Sequence, residues 1–161
     1  MLKLRPNVSL FNLQPQGHLI LQVVSAVFLE ELGRSIDCEV TSGSDGSHMP
    51  GSYHAQGLAF DFSLRPVIEP PKTRLAAAIA RAFGGSGAEV LIPAAAVVVD
   101  PTPPGHPAGS VTRQPGPTRA YAAGDFDVLI EDLGGPNEHL HVEWDGKRAA
   151  ARAGKVWEPK A

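Results

Sequence analysis

The stretch "SYHAQGLAFDFS" (52–63) places His54 seven residues before Asp61, and "NEHLHVEW" (137–144) places Glu138, His139 and His141 within four positions. Imidazole nitrogen and carboxylate oxygen are ligands that zinc takes, and a catalytic zinc keeps three protein ligands plus a water. Two short donor clusters, far apart in sequence and each ending on a strand, commonly build such a site. Asp61 is the informative residue. It stands between Phe60 and Phe62, where a carboxylate is costly to bury unless it is paired or metal-bound. Each residue taken singly has an ordinary alternative: Asp61 on a solvated sheet face, His54 on a loop surface, "EHLHVEW" as an edge strand with its polar residues outward. For the two clusters jointly, that alternative is much weaker. A Glu three positions before a ligand His, close to a metal-bound water, can also serve as general base, which fits Glu138.

The elements that must position these groups can be read around them. "LAFDFSL" (58–64) predicts a strand with Leu58, Phe60 and Phe62 on one face and Ala59, Asp61 and Ser63 on the other. Gly57 permits a tight turn, so that His54 folds back beside Asp61. "DFDVLIED" (125–132) and "HLHVEWD" (139–145) predict two strands joined by "LGGPNE", and His139 and His141, two apart, share a face.

Elsewhere, "PQGHLILQVVSAVFLEELG" (15–33) predicts a helix with Leu19, Val23, Val27 and Leu32 near one stripe and a stop at Gly33. "DCEVTSG" (37–43) predicts a strand, and "PPKTRLAAAIARAFGG" (70–85) a helix with Pro at its start and Gly at its stop. "AEVLIPAAAVVVD" (88–100) holds one or two short strands, and residues 1–13 a strand or docking arm. The run at about 101–124 is rich in Pro and Gly and reads as an exposed flap or surface loop. Two helices and several short strands without regular βαβ alternation predict an α+β fold, a small antiparallel sheet with packed helices. The 161 residues fit one domain spanning 1–161.

Composition narrows the function classes. A formal net charge of -3 and the absence of single-sign charge runs give no reason to expect a nucleic-acid partner. The longest apolar segment, Leu19 to Leu32, contains Glu30 and Glu31 and is too short for a span of ~20 residues, so membrane insertion is not expected. The N-terminal stretch has no long apolar region after its positive charges, which predicts synthesis in the cytoplasm without a signal peptide. A monomer is expected. The single cysteine, Cys38, excludes an internal disulfide and reads as a small buried hydrophobe.

The stretch "SYHAQGLAFD" resembles the S-x-H-x-x-G-x-A-x-D signature of zinc D-Ala-D-Ala carboxypeptidases and the related peptidoglycan L-alanyl-D-glutamate endopeptidases, matching at Ser52, His54, Gly57, Ala59 and Asp61. "EHLH" is similar to that family's second motif, and the approach "VTSGSDGSH" resembles the strand-turn before the first, especially in phage-type members. The likeness covers roughly residues 38–63 and 125–144. It implies a Hedgehog/DD-peptidase-like fold, Zn2+ as cofactor, and His54, Asp61 and His141 as its ligands. It implies Glu138 as the catalytic base and His139 as a second catalytic group, supporting a ligand or binding an oxyanion. The substrate it implies is a peptidoglycan stem peptide. Action on the cell wall follows, with a phage origin favoured by the missing signal peptide.

One departure bears on specificity. Many members carry an Arg shortly after the strand-turn, whereas this chain has "TSGSDG", with Asp45 and His48 nearby instead. His48 is therefore a candidate substrate-binding residue beside Ser52, and a loop surface residue is the equal alternative. Ser52 is expected to shape the loop or to hydrogen-bond near Asp61 rather than act as a nucleophile. Without the Arg, an endopeptidase is at least as well supported as a carboxypeptidase. Two other readings stay open: a non-catalytic, zinc-containing binding or structural module of the same fold, and a two-His-one-carboxylate site for another metal such as non-haem iron.

Overall fold

The computed structural model describes residues 1–45, 51–68, 71–94 and 116–148. In chain order the elements are β1 (Leu2–Leu4), α1 (Pro15–Leu32), β2 (Cys38–Ser42), β3 (Ala59–Ser63), α2 (Pro71–Ala82), β4 (Glu89–Ile92), β5 (Thr118–Ala123), β6 (Phe126–Glu131) and β7 (His139–Trp144). A helical turn follows at 146–148. The strands form one sheet in the order β1-β2-β3-β7-β6-β5-β4. β1 runs parallel to β2, and every other neighbouring pair is antiparallel.

The fold is α+β, as expected, but the sheet is seven-stranded and mixed rather than small and antiparallel. Two segments account for the difference. The N-terminal arm adds β1 to the edge of β2. Residues 118–123, assigned from composition to the Pro/Gly-rich run, form β5 between β4 and β6. Tyr121 and Ala123 are buried there, and pairing on both sides satisfies the backbone. The neighbouring Gly116, Pro117 and Gly124 bound this strand instead of dissolving it. Residues 101–115 of the same run, and His48, lie outside the described residues.

Strand alternation divides the sheet into two faces. Phe60 and Phe62 of β3, Leu140 and Val142 of β7, and Val128 and Ile130 of β6 are fully buried in the core with residues of α1 and α2. Burying a side chain of this size contributes ~1.5–3 kcal/mol. From α1 the core takes Ile20, Leu21, Val24, Val27 and Phe28. Of the expected stripe, Val27 is buried in the core, Val23 and Leu32 pack partly against it, and Leu19 is 42% exposed, so the stripe is shifted toward Ile20 and Val24. α1 is apolar around much of its circumference, so periodicity alone admits two neighbouring stripes, and the bulk of Ile20, Val24 and Phe28 decides which one faces the sheet. The helix ends at Gly33, whose φ of 73° suits glycine and whose N–H bonds Leu29 O at 3.0 Å. No helix among the described residues is long and apolar enough to cross a membrane.

Candidate metal centre

The face of the sheet opposite the core carries the polar residues. On β7 these are His139, His141 and Glu143, alternating with buried Leu140 and Val142. Register then sets their neighbours. Asp61 of β3 lies opposite His141, and Ser63 opposite His139; on the other side Glu131 of β6 lies opposite His139. The Phe residues that make Asp61 improbable as a core residue are what anchor it, because they hold β3 in the one register that points the carboxylate at His141.

His54 reaches the cluster from the turn before β3. The hydroxyl of Ser52 accepts the His54 N–H at 3.2 Å, the Gly57 N–H bonds His54 O at 2.9 Å, and the Leu58 N–H bonds Tyr53 O at 2.9 Å. Gly57 has φ 67°, and a Cβ there would meet Asn12 O at 2.4 Å, so both conformation and space require glycine. Ser52 thus braces the backbone of the His54 turn. Asp45, near the place of the family's Arg, is also structural: its Oδ1 accepts the N–H groups of Gly43 and Ser9 at 2.8 and 3.1 Å.

Three imidazoles converge on one oxygen. Asp61 Oδ1 lies 2.8 Å from His141 Nδ1, 3.5 Å from His54 Nε2 and 3.5 Å from His139 Nε2. The rings of His54 and His141 stand 5.1 Å apart, centroid to centroid. His54, Asp61 and His141 together present one donor atom each within 4.8 Å of one another, and so do Glu131, His139 and His141. Either set can hold a metal ion.

The electrostatics follow from this crowding. Burial opposes ionisation of Asp61, but hydrogen bonds from His141 and His54 outweigh it and hold the carboxyl well below the usual carboxylate range. Burial also opposes the charge on His141, yet its bonds to Asp61 and Glu143 win and raise its pKa to about 10. His139 is raised too: burial opposes its charge, and the Glu131 carboxylate and Asn137 carbonyl overcome that cost. Glu131 is lowered by its bond with His139 against the pull of burial.

Glu138 sits just before β7 and lines a cleft of about 190 Å³ together with Asp61, His139, Arg5 and Arg65. Both of its oxygens are engaged, Oε1 by Lys72 Nζ of α2 and Oε2 by the Gly134 N–H at 2.7 Å. Burial opposes its charge, but the Gly134 N–H and Lys72 keep its carboxyl below the ordinary value. The loop leading to it is held by Asp132, which accepts the N–H groups of Gly116 and Asn137 at 2.7 and 2.9 Å. His54 and His141 do not line the cleft, which meets the donor cluster at Asp61 and His139.

Of the residues expected from sequence, His54, Asp61, His139 and His141 come together in one cluster, and Glu138 stands at the edge of the adjoining cleft. Three further residues were not anticipated. Glu143 lies 3.2 Å from His141 Nε2, Glu131 lies 3.3 Å from His139 Nε2, and Lys72 pairs with Glu138. The first two carry a signal, since period-two alternation places Glu143 on the face of His139 and His141, and Glu131 at the end of the neighbouring strand. Lys72 has none; only the packing of α2 brings it across. The chain matches no protein-family model, no curated protein and no solved structure.

Proposed function

We propose that the chain is a mononuclear zinc peptidase that hydrolyses peptide bonds in peptidoglycan stem peptides, as an endopeptidase or a D,D-carboxypeptidase, on a Hedgehog/DD-peptidase-like fold. The observation that carries this reading is the convergence of His54 Nε2 and His141 Nδ1 on Asp61 Oδ1, at the end of a cleft that Glu138 and His139 also line. The donor set suits zinc. Bonds of ~2.0–2.2 Å in a tetrahedron put ligand atoms roughly 3.3–3.6 Å apart; His54 stands 3.5 Å from Asp61, and His141, hydrogen-bonded to it at 2.8 Å, would give up that bond to reach the same spacing.

His54, Asp61 and His141 would hold the ion, which supplies a water acidified toward a pKa of ~7 and a polarising charge for the scissile carbonyl. Glu138 takes the proton from the attacking water and returns it to the leaving nitrogen. It is ionised at neutral pH and therefore able to accept. His139, whose pKa Glu131 and the Asn137 carbonyl raise against the cost of burial, offers a hydrogen bond to the oxyanion that develops on the substrate. Arg65 stands on the cleft wall, where its guanidinium can pair with a carboxylate of the stem peptide. Action on the cell wall completes the reading.

The second reading is a non-catalytic module that keeps the metal. The pairing of both Glu138 oxygens, with Lys72 and with the Gly134 N–H, favours it, because a carboxylate can be retained for such a structural purpose. One experiment separates the two. Zinc-loaded protein is incubated with purified peptidoglycan, and new amino termini are identified by mass spectrometry of the released stem peptides. Release that stops with a chelator supports the peptidase and identifies the scissile bond. Binding without release, in protein containing one zinc per chain, overturns it in favour of the module.

A further inference from the structure

The donor cluster is larger than one ion requires. Glu131, His139 and His141 form a second set with one donor atom each inside 4.8 Å, sharing His141 with the first. His139 is oriented as a ligand would be. Its Nδ1 lies 2.6 Å from Asn137 O, so the carbonyl takes the Nδ1–H and leaves Nε2 as the inward atom. That Nε2 sits between two carboxylates, 3.3 Å from Glu131 Oε2 and 3.5 Å from Asp61 Oδ1. Asp61 has two oxygens and stands between the two sets, and a bridging carboxylate is a usual link in paired metal sites with ions ~3.5–4 Å apart. The cleft reaches both His139 and Asp61, so an ion has a route in.

We infer that Glu131 and His139 anchor a second divalent-cation subsite beside the first, with the Asp61 carboxylate bridging the two. This goes beyond the one-ion reading and does not depend on hydrolysis. Because Asp61 is shared and His141 stays with the first ion, the second ion binds more weakly than the first. Its arrival removes His139 from any role as hydrogen-bond donor, so excess zinc inhibits whatever reaction the first ion supports.

The test is equilibrium dialysis of the full chain, stripped by chelator, against Zn2+ alone, with metal and protein measured together. The wild type is expected to take up two ions per chain, the second at least tenfold more weakly. Glu131→Gln and His139→Gln are each expected to keep the first ion and to weaken the second at least tenfold. Cobalt(II) supplies an independent readout, since the second equivalent should add its own visible absorption, lost in His139→Gln. Circular dichroism melts show that each variant is folded, and the cobalt titration of the wild type stands even where a variant is not. Saturation of the wild type at one ion overturns the subsite while leaving the proposed peptidase intact. Survival of the second equivalent in the Glu131→Gln/His139→Gln double variant also overturns it. Failure of the wild type to bind any ion refutes both readings.

Discussion

Asp61 Oδ1 and His141 Nδ1 lie 2.8 Å apart, on adjacent antiparallel strands at the same level of the ladder. The pair is a charge-assisted hydrogen bond fixed by register, not by two flexible chains finding one another. A metal ion bound there must displace the proton between them.

That displacement makes metal affinity depend on pH. The pKa of His141 is raised to about 10, so at neutral pH its ring carries a proton that binding must expel. Asp61 is already ionised and contributes nothing. Apparent zinc affinity should rise about tenfold per pH unit between roughly pH 6 and 8, with one proton released from His141 per ion. Calorimetry in buffers of different ionisation enthalpy measures the release, and a pH-independent affinity contradicts the prediction.

Stability of the chelator-treated protein should follow the same pair with opposite signs. His141, raised in the fold, contributes stability that is complete below its unfolded pKa of ~6.5 and is lost as pH rises toward its folded value. Asp61, lowered in the fold, contributes stability that is complete above ~3.9 and is lost as pH falls. Urea midpoints should therefore peak between about pH 4 and 6.5. His141→Asn should flatten the alkaline side, and an unchanged profile in that variant would count against the pairing.

Glu143, 3.2 Å from His141 Nε2, fixes the ring so that Nδ1 faces Asp61. Glu143→Gln should weaken zinc binding by about 10–100-fold, the usual effect of losing a carboxylate behind a ligand histidine. The fold should be retained, because Glu143 lies on the polar face away from the core. Competition with a chromophoric chelator gives the affinity.

The core face should respond very differently. Phe62→Ala is expected to cost ~3–5 kcal/mol and Ile20→Ala ~2–5 kcal/mol, since both side chains are fully buried. Leu19→Ala, one position away but 42% exposed, should cost well under half of the Ile20→Ala change. Thermal melts of the adjacent pair decide which stripe of α1 faces the sheet.

Cys38 should be inert. Burial pushes its thiol up to about 12, and it is 1% exposed. A thiol reagent at pH 8 should label the native protein far more slowly than the urea-unfolded chain. Rapid native labelling would show that β2 opens, or that the thiol is activated.

The sequence by itself determined the strands that carry the donors. Phe60 and Phe62 flanking Asp61, and Leu140 and Val142 interleaved with His139 and His141, encode a two-faced pattern whose period is local and therefore readable. Gly57 marked the turn that returns His54, because a positive φ against a crowded backbone leaves few other choices. Only the tertiary structure decided the rest. The mixed seven-stranded sheet depends on β1 and β5, short segments that become strands through the partners they meet. The pairing of Glu138 with Lys72, 66 positions apart, depends on where α2 packs. The meeting of Glu131, His139, Asp61 and His54 depends on which strands are neighbours and in what register. Alternation fixes the face a residue points to, but contact between strands is non-local, and no pattern within one strand carries it.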